Sequence, residues 1–221
     1  SDAVDSALRF IRFYQHARGT PGKRHVIGLA RGYHGSPYTG AGLTALAAFH
    51  RDADVPLAWQ HHISSPDPYR HPDGLDAAAI IAASVADLRN KVAELGGPEH
   101  VAAFFCEPVQ GSGGVAIPPK GWLTAMRNAC RDLDILFVTD EVLTGKQRSC
   151  AAIGLAVLDL YQNGLLDNGV KSGHHLAMRL ATMKDHPLVG DARSIGMLGA
   201  IELVTDKVAK TKPAASLGIS K

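Results

Sequence analysis

Hydrophobic positions along the chain change period as it proceeds. Val4, Leu8 and Ile11, with Ala7 and Tyr14 beside them, recur at helical spacing, so one face of the first segment is apolar. Ser1 stands where a helix cap belongs and Asp2 falls in the first turn. Gly19, Pro21 and Gly22 close the segment. Residues 25–30 form a short apolar run that predicts a strand, followed by the loop Arg31-Gly32-Tyr33-His34-Gly35. Residues 41–50 predict a helix. Residues 56–74, rich in Pro, His and polar side chains, predict irregular chain. An Ala-rich helix is expected over 76–95, stopped by Gly96-Gly97-Pro98. Val101-Ala102-Ala103-Phe104-Phe105 is apolar without interruption, the pattern of a strand covered on both faces. It runs into Cys106-Glu107-Pro108-Val109-Gln110-Gly111. Residues 118–132 return to helix, and Ile135-Leu136-Phe137-Val138-Thr139 repeats the uninterrupted apolar strand, ending in Asp140-Glu141. Helices are expected over 151–161 and 174–183, and a strand over 197–204.

Helices alternating with apolar strands, joined by connections long enough for crossovers, imply an α/β fold with a largely parallel sheet. In such sheets ligands bind beyond the carboxyl ends of the strands. Three expected strands end in polar residues or glycine: Tyr33-His34-Gly35, Glu107 to Gly111, and Asp140-Glu141-Val142. Side by side they would make one polar rim above an apolar sheet. An acid there is partly desolvated and needs a cationic or hydrogen-bonding partner.

Composition narrows the function classes. Hydrophobic residues make up 46% of the 221, charged residues 20%, and the net charge is +2, ordinary for a globular protein. Lys and Arg are scattered, with no basic block interleaved with aromatics, which argues against nucleic acid. Apolar stretches break well short of a membrane span. The first residues resemble neither a signal nor a transit peptide. Cys106, Cys130 and Cys150 lie far apart and offer no zinc or disulfide pattern, so a reducing cytoplasm is expected. His61-His62 and His174-His175 invite a metal reading. Adjacent side chains on a strand point to opposite faces, however, and no H-E-x-x-H occurs, so surface or loop histidines are expected. Gly111-Ser112-Gly113-Gly114 lacks the Lys-Ser/Thr ending of a phosphate loop and reads as a turn.

Several segments resemble a known family in its own order and at similar spacing. Ser1-Asp2-Ala3-Val4-Asp5-Ser6-Ala7 is similar to the S-[DE]-A-x-[DE]-x-A start of the phosphate-side helix of class III aminotransferases. Gly32-Tyr33-His34-Gly35 resembles their G-[YF]-H-G loop. Glu107-Pro108-Val109-Gln110-Gly111, followed by Gly113-Gly114, resembles E-P-[VI]-Q-G-x-G-G. Asp140-Glu141-Val142-Leu143-Thr144-Gly145 resembles D-E-V-[IQ]-[TC]-G. Arg193-Ser194-Ile195-Gly196-Met197 looks like the R-G-x-G entry to a small-domain strand. The likeness covers nearly the whole chain. It implies pyridoxal-phosphate (PLP) fold type I: a large cofactor domain with a mostly parallel sheet over 1–165, and part of a small α+β domain over 166–221.

The resemblance also implies roles. Asp140 would pair with the pyridine nitrogen and keep it protonated. Tyr33 would stack on one face of the ring, with His34 shaping that wall, and Val142 would press on the other face. Ser1, with Asp2 in the same first turn, would bind the phosphate at the helix N-terminus. Glu107 would lie near the ring oxygen and the substrate side. The implied reaction is transamination between an amine or ω-/α-amino acid donor and a keto acid such as pyruvate, in a homodimer. Aminomutase or decarboxylase chemistry, or a non-catalytic cofactor-binding protein, remain open alternatives. One element departs from the family pattern. Transamination needs a lysine that forms the cofactor Schiff base and shuttles a proton, and the family places it well after D-E-V. Here Gly145 is followed by Lys146-Gln147-Arg148-Ser149-Cys150 where F-G-R is expected, and Lys146 lies too near Asp140 in sequence to match. Residues are therefore expected to be missing near 145–150. The chain would then join parts of a longer protein that carries the lysine elsewhere, which an intact mass above 23.4 kDa would show.

Overall fold

The computed structural model describes residues 1–72, 74, 76–145 and 161–214. Lys146, Cys150 and most of the helix expected over 151–161 lie outside the described residues. The chain divides into two compact units, Ser1–Thr144 and Gly145–Lys221.

The first unit is an α/β layer structure. β1 (His25–Leu29), β2 (Gln60–Ile63), β3 (Val101–Cys106) and β4 (Leu136–Thr139) form a sheet of order β2-β1-β3-β4, parallel throughout. β3 is central and buried along its whole length, as its unbroken apolar run requires. On one face, α4 (Ala77–Glu94) and α5 (Trp122–Asp132) cover it. Leu88, Val92, Trp122, Met126 and Cys130 pack against Ile27, Leu29, Phe104 and Cys106 there. Asp76 caps α4, its carboxylate accepting the N–H groups of Ala78 and Ala79. On the other face lies α1 (Asp2–Ala17), with Val4, Leu8 and Ile11 against Val26, Leu43, Ala103 and Phe105. These are the residues whose spacing predicted the helix.

Two expectations change. The helix expected over 41–50 is two short ones, α2 (Tyr38–Leu43) and α3 (Ala47–His50), parted by extended backbone at Thr44 and Leu46. The stretch expected to be irregular contains β2. Its Gln-His-His-Ile carries no apolar run, and pairing with β1 at the sheet margin makes it a strand.

The second unit is α+β, as the resemblance implied. α6 (Leu166–Met183) packs Leu176 and Leu180 on Val189 and Ala192 of an antiparallel hairpin, β5 (Val189–Ile195) and β6 (Leu198–Leu203). Gly196-Met197 forms the hairpin turn. Arg193 is held between Asp191 at 2.8 Å and Glu202 at 3.4 Å. Among the described residues, no helix is long and apolar enough to cross a membrane, and no cluster of side chains could hold a metal ion.

Candidate functional site

The parallel order places the carboxyl ends of β1, β3 and β4 side by side, so the three expected strand-end segments meet. After β3, Glu107 turns inward. One carboxylate oxygen accepts the Tyr33 N–H at 2.8 Å and the other accepts the Gly111 N–H at 3.1 Å. A single buried acid thus clasps the loop after β1 to the turn after β3. Burial pushes its carboxyl above the usual range, opposed by those two N–H groups and by His34. Beyond the clasp, Gln110 accepts a hydrogen bond from the Ser65 hydroxyl and donates to the Ala30 carbonyl at 2.9 Å. The segment 111–115 folds back as a turn, closed by a bridge between Gln110 and Ala116.

Asp140 follows β4, its N–H bonded to the Cys106 carbonyl at 2.8 Å. Its Oδ2 lies 3.0 Å from His34 Nδ1, and its Oδ1 accepts the Val142 N–H at 3.2 Å. Burial raises this carboxyl, but the His34 bond and charge, with the Val142 N–H, outweigh it and hold the group below the usual range. An ionised carboxylate only accepts, so the imidazole proton sits on Nδ1. His34 Nε2 is buried with no hydrogen-bond partner, in edge contact with Phe105.

The His34 side chain is wholly buried and supports Asp140 from within. Tyr33 and His34 are successive residues of a bent loop, so their side chains diverge. Tyr33 remains half-buried at the surface, its ring edge-on to Phe49 at 5.4 Å and its hydroxyl 3.3 Å from Ser36. Val142 is 59% exposed at the same edge. Leu143 from the same loop comes so close to Gly111 that a Cβ there would lie 2.0 Å from it, which sets the loop after β4 on the turn after β3.

Ser1 and Asp2 are exposed at the start of α1, and the Ser1 hydroxyl makes no capping bond. The helix start reaches the rim through Gly35. That residue has φ +124°, and a Cβ there would sit 2.9 Å from both Cα and Oγ of Ser1, so only glycine allows the approach. Thr44 was not foreseen. Fully buried, it accepts the His34 N–H at 2.8 Å and donates to the Gly35 carbonyl at 3.1 Å, which fixes the loop carrying Tyr33 and His34. Nor was Asp67, which pairs with Arg31 at 2.5 Å. Neither sits in a recognisable motif. Gln110 does, and its place there was the available signal.

The chemistry of this rim is an anion held ionised at the base of an open edge, a flanking aromatic, an exposed apolar side chain, and free N–H groups at a helix start. That set suits a flat, cationic, phosphorylated heterocycle. No lysine stands in it among the contacts described. Lys23 pairs with Asp134 at 3.0 Å and Lys91 with Glu94 at 2.6 Å, both away from the rim, while Lys120 is exposed ahead of α5.

Comparison with known proteins follows the same lines. The family Aminotransferase class-III matches residues 1–152. A putrescine–pyruvate aminotransferase of Pseudomonas aeruginosa is 31% identical over 268 aligned positions, covering 94% of this chain and 59% of that protein. The chain therefore spans about three-fifths of the length of that relative. Since 94% of 221 residues is about 208, about 60 of the 268 positions face a gap in this chain. A probable gamma-aminobutyrate transaminase of Oryza sativa subsp. japonica is 35% identical over 161 positions covering 73% of the chain, which leaves no net gap. Among solved structures, an amine transaminase from an uncultivated Pseudomonas species, in its PLP-bound form, superposes with TM-score 0.90 at 28% identity over 98% of this chain and 64% of that one.

Proposed function

Because the chain belongs to the class III aminotransferase family, we propose that the complete protein is a PLP-dependent transaminase, moving an amino group from an amine or amino acid donor to a keto acid such as pyruvate. The observation that carries this reading is the buried His34–Asp140 pair, 3.0 Å apart at the carboxyl edge of the sheet. Its charge and position match a protonated pyridine nitrogen. When bound, the ring supplies an electron sink for the donor's α-carbon.

The chain's own residues divide the remaining work. Asp140 supplies the fixed negative charge, and His34 keeps it ionised and aimed. Tyr33 offers its ring to one face and Val142 its side chain to the other. The N–H groups at the start of α1, with the Ser1 hydroxyl, receive the phosphate. Glu107 has both oxygens committed to backbone, so its role is to set the distance between the Tyr33 loop and the Gly111 turn. The donor and acceptor classes follow the relatives, whose names join diamines or ω-amino acids to transamination. Sites of this family type form between two copies, so a homodimer belongs to the same proposal.

A second reading rests on the gap. If the mature protein lacks the same stretch as this chain, the rim binds the cofactor without a lysine to attach it. Titration of the full-length protein with PLP, followed by borohydride reduction and mass spectrometry, separates the outcomes. A reduced adduct on a lysine, with amine-dependent loss of the cofactor absorbance band, supports transamination. Binding with no adduct supports the second reading, and no binding refutes both.

A further inference from the structure

The two ends of the loop after β1 are held differently. Its beginning is tied by backbone: the Ala45 N–H donates to the Gly32 carbonyl at 2.8 Å, and the Arg31 N–H to the Ala45 carbonyl at 3.2 Å. His34 and Gly35, at its far end, make no such backbone bond among the described residues. The Thr44 hydroxyl takes that place, accepting the His34 N–H at 2.8 Å and donating to the Gly35 carbonyl at 3.1 Å. One side chain thus fixes the peptide before His34 and the peptide after Gly35. Gly35, at φ +124°, is the residue whose backbone is otherwise least restrained.

Thr44 is itself firmly held. Fully buried, it donates its N–H to the Gly40 carbonyl at 2.8 Å, and its own carbonyl accepts a bond from His50 Nε2. The preceding carbonyl, that of Leu43, meets His62 Nε2 at 2.9 Å. α2, α3 and β2 therefore converge on the backbone that carries this hydroxyl.

The imidazole at the end of this chain of contacts has little else to aim it. His34 Nδ1 lies 3.0 Å from Asp140 Oδ2. Nε2 is buried with no hydrogen-bond partner, and the ring meets Phe105 edge-on. No bond on the Nε2 side opposes rotation, so the direction of Nδ1 follows from where the backbone puts the ring.

We infer that Thr44 is a positioning residue for the Asp140 site: its hydroxyl holds the backbone at His34 and Gly35 so that the imidazole Nδ1 stays on the Asp140 carboxylate. The hydroxyl is bonded to the loop and not to Asp140, so it acts through His34. As a role in transamination this rests on the proposed cofactor reading; the positioning itself is read without PLP.

Thr44→Val keeps the shape of the side chain and removes both bonds, whereas Thr44→Ser keeps both bonds and removes the methyl. In the full-length protein without cofactor, 13C NMR of labelled aspartate should show the Asp140 carboxyl titrating higher in Thr44→Val, toward its behaviour in His34→Phe, and returning in Thr44→Ser. Adding Thr44→Val to His34→Phe should shift it no further, since a residue acting through His34 then has nothing to act on. PLP affinity should fall at least about tenfold in Thr44→Val, the scale expected when two buried peptide groups lose their partner, and recover in Thr44→Ser. If Thr44→Val does not fold, Thr44→Cys, whose thiol is a weak donor and acceptor, is read the same way. An unmoved Asp140 titration or PLP affinity in a folded variant overturns the inference. So does a further shift in the double variant, or a change that Thr44→Ser shares. Failure of both Thr44→Val and Thr44→Cys to fold also overturns it, by assigning the hydroxyl to the fold at large. A wild-type protein that binds no PLP refutes the cofactor reading and leaves the Asp140 titration to decide the positioning, so the two fail independently.

Discussion

Asp140 and Glu107 end neighbouring strands, yet their carboxyls shift in opposite directions. Burial raises both. Glu107 meets neutral N–H donors at both oxygens, whereas Asp140 meets an imidazole N–H and its charge. The sign for Asp140 follows: a carboxyl whose folded value is depressed adds stability above its unfolded value, near 4, and loses it as pH falls through the folded value. Replacing His34→Phe removes the hydrogen bond and leaves burial in control, so the Asp140 carboxyl should titrate above the usual range, read by 13C NMR of labelled aspartate. Glu107→Gln has one acceptor oxygen for two N–H groups and should destabilise the first unit by about 1–3 kcal/mol, read by urea unfolding. Asp140 and Glu107 were legible as strand-end acids. The support from His34 was not, because which way a loop side chain turns depends on Thr44, ten positions away and bonded to that loop only in the fold.

At the scale of elements, α1, α4, β1 and β3 were legible because their apolar spacing coincides with what they bury. β2 was not, because its chemistry is polar and only pairing with β1 makes it a strand. That pairing carries a pH dependence. His25 Nδ1 lies 2.9 Å from His61 Nε2, a bond that needs one ring neutral, and His62 Nε2 meets the Leu43 carbonyl at 2.9 Å. Burial foremost, then neighbouring positive charge, lowers His25 and His61; burial also dominates for His62, against the Leu43 bond. A histidine whose folded value is depressed stabilises the fold fully above its unfolded value, about 6.5, and that stability is lost as pH falls below it. The urea midpoint should therefore drop between pH 7.5 and 5.5, and His61→Asn should reduce the slope. The contact of α1 with the β1 loop gives a further test. Gly35→Ala meets Ser1 and a φ of +124°, so it should cost roughly 1–3 kcal/mol and weaken PLP binding at least about tenfold by displacing the helix start.

At the scale of the molecule, the fold class and the meeting of three strand ends were legible because a parallel sheet sends all its carboxyl ends to one edge. The strand order that makes β1, β3 and β4 neighbours could be read only from the structure. The account stands on Asp140 facing a protonated ring nitrogen. The direct measurement is 15N NMR of ring-labelled PLP bound to the full-length protein and to its Asp140→Ala variant. A protonated pyridine shift at pH 8, moving to the unprotonated position in the variant, is the predicted result. The same shift in both proteins would contradict it.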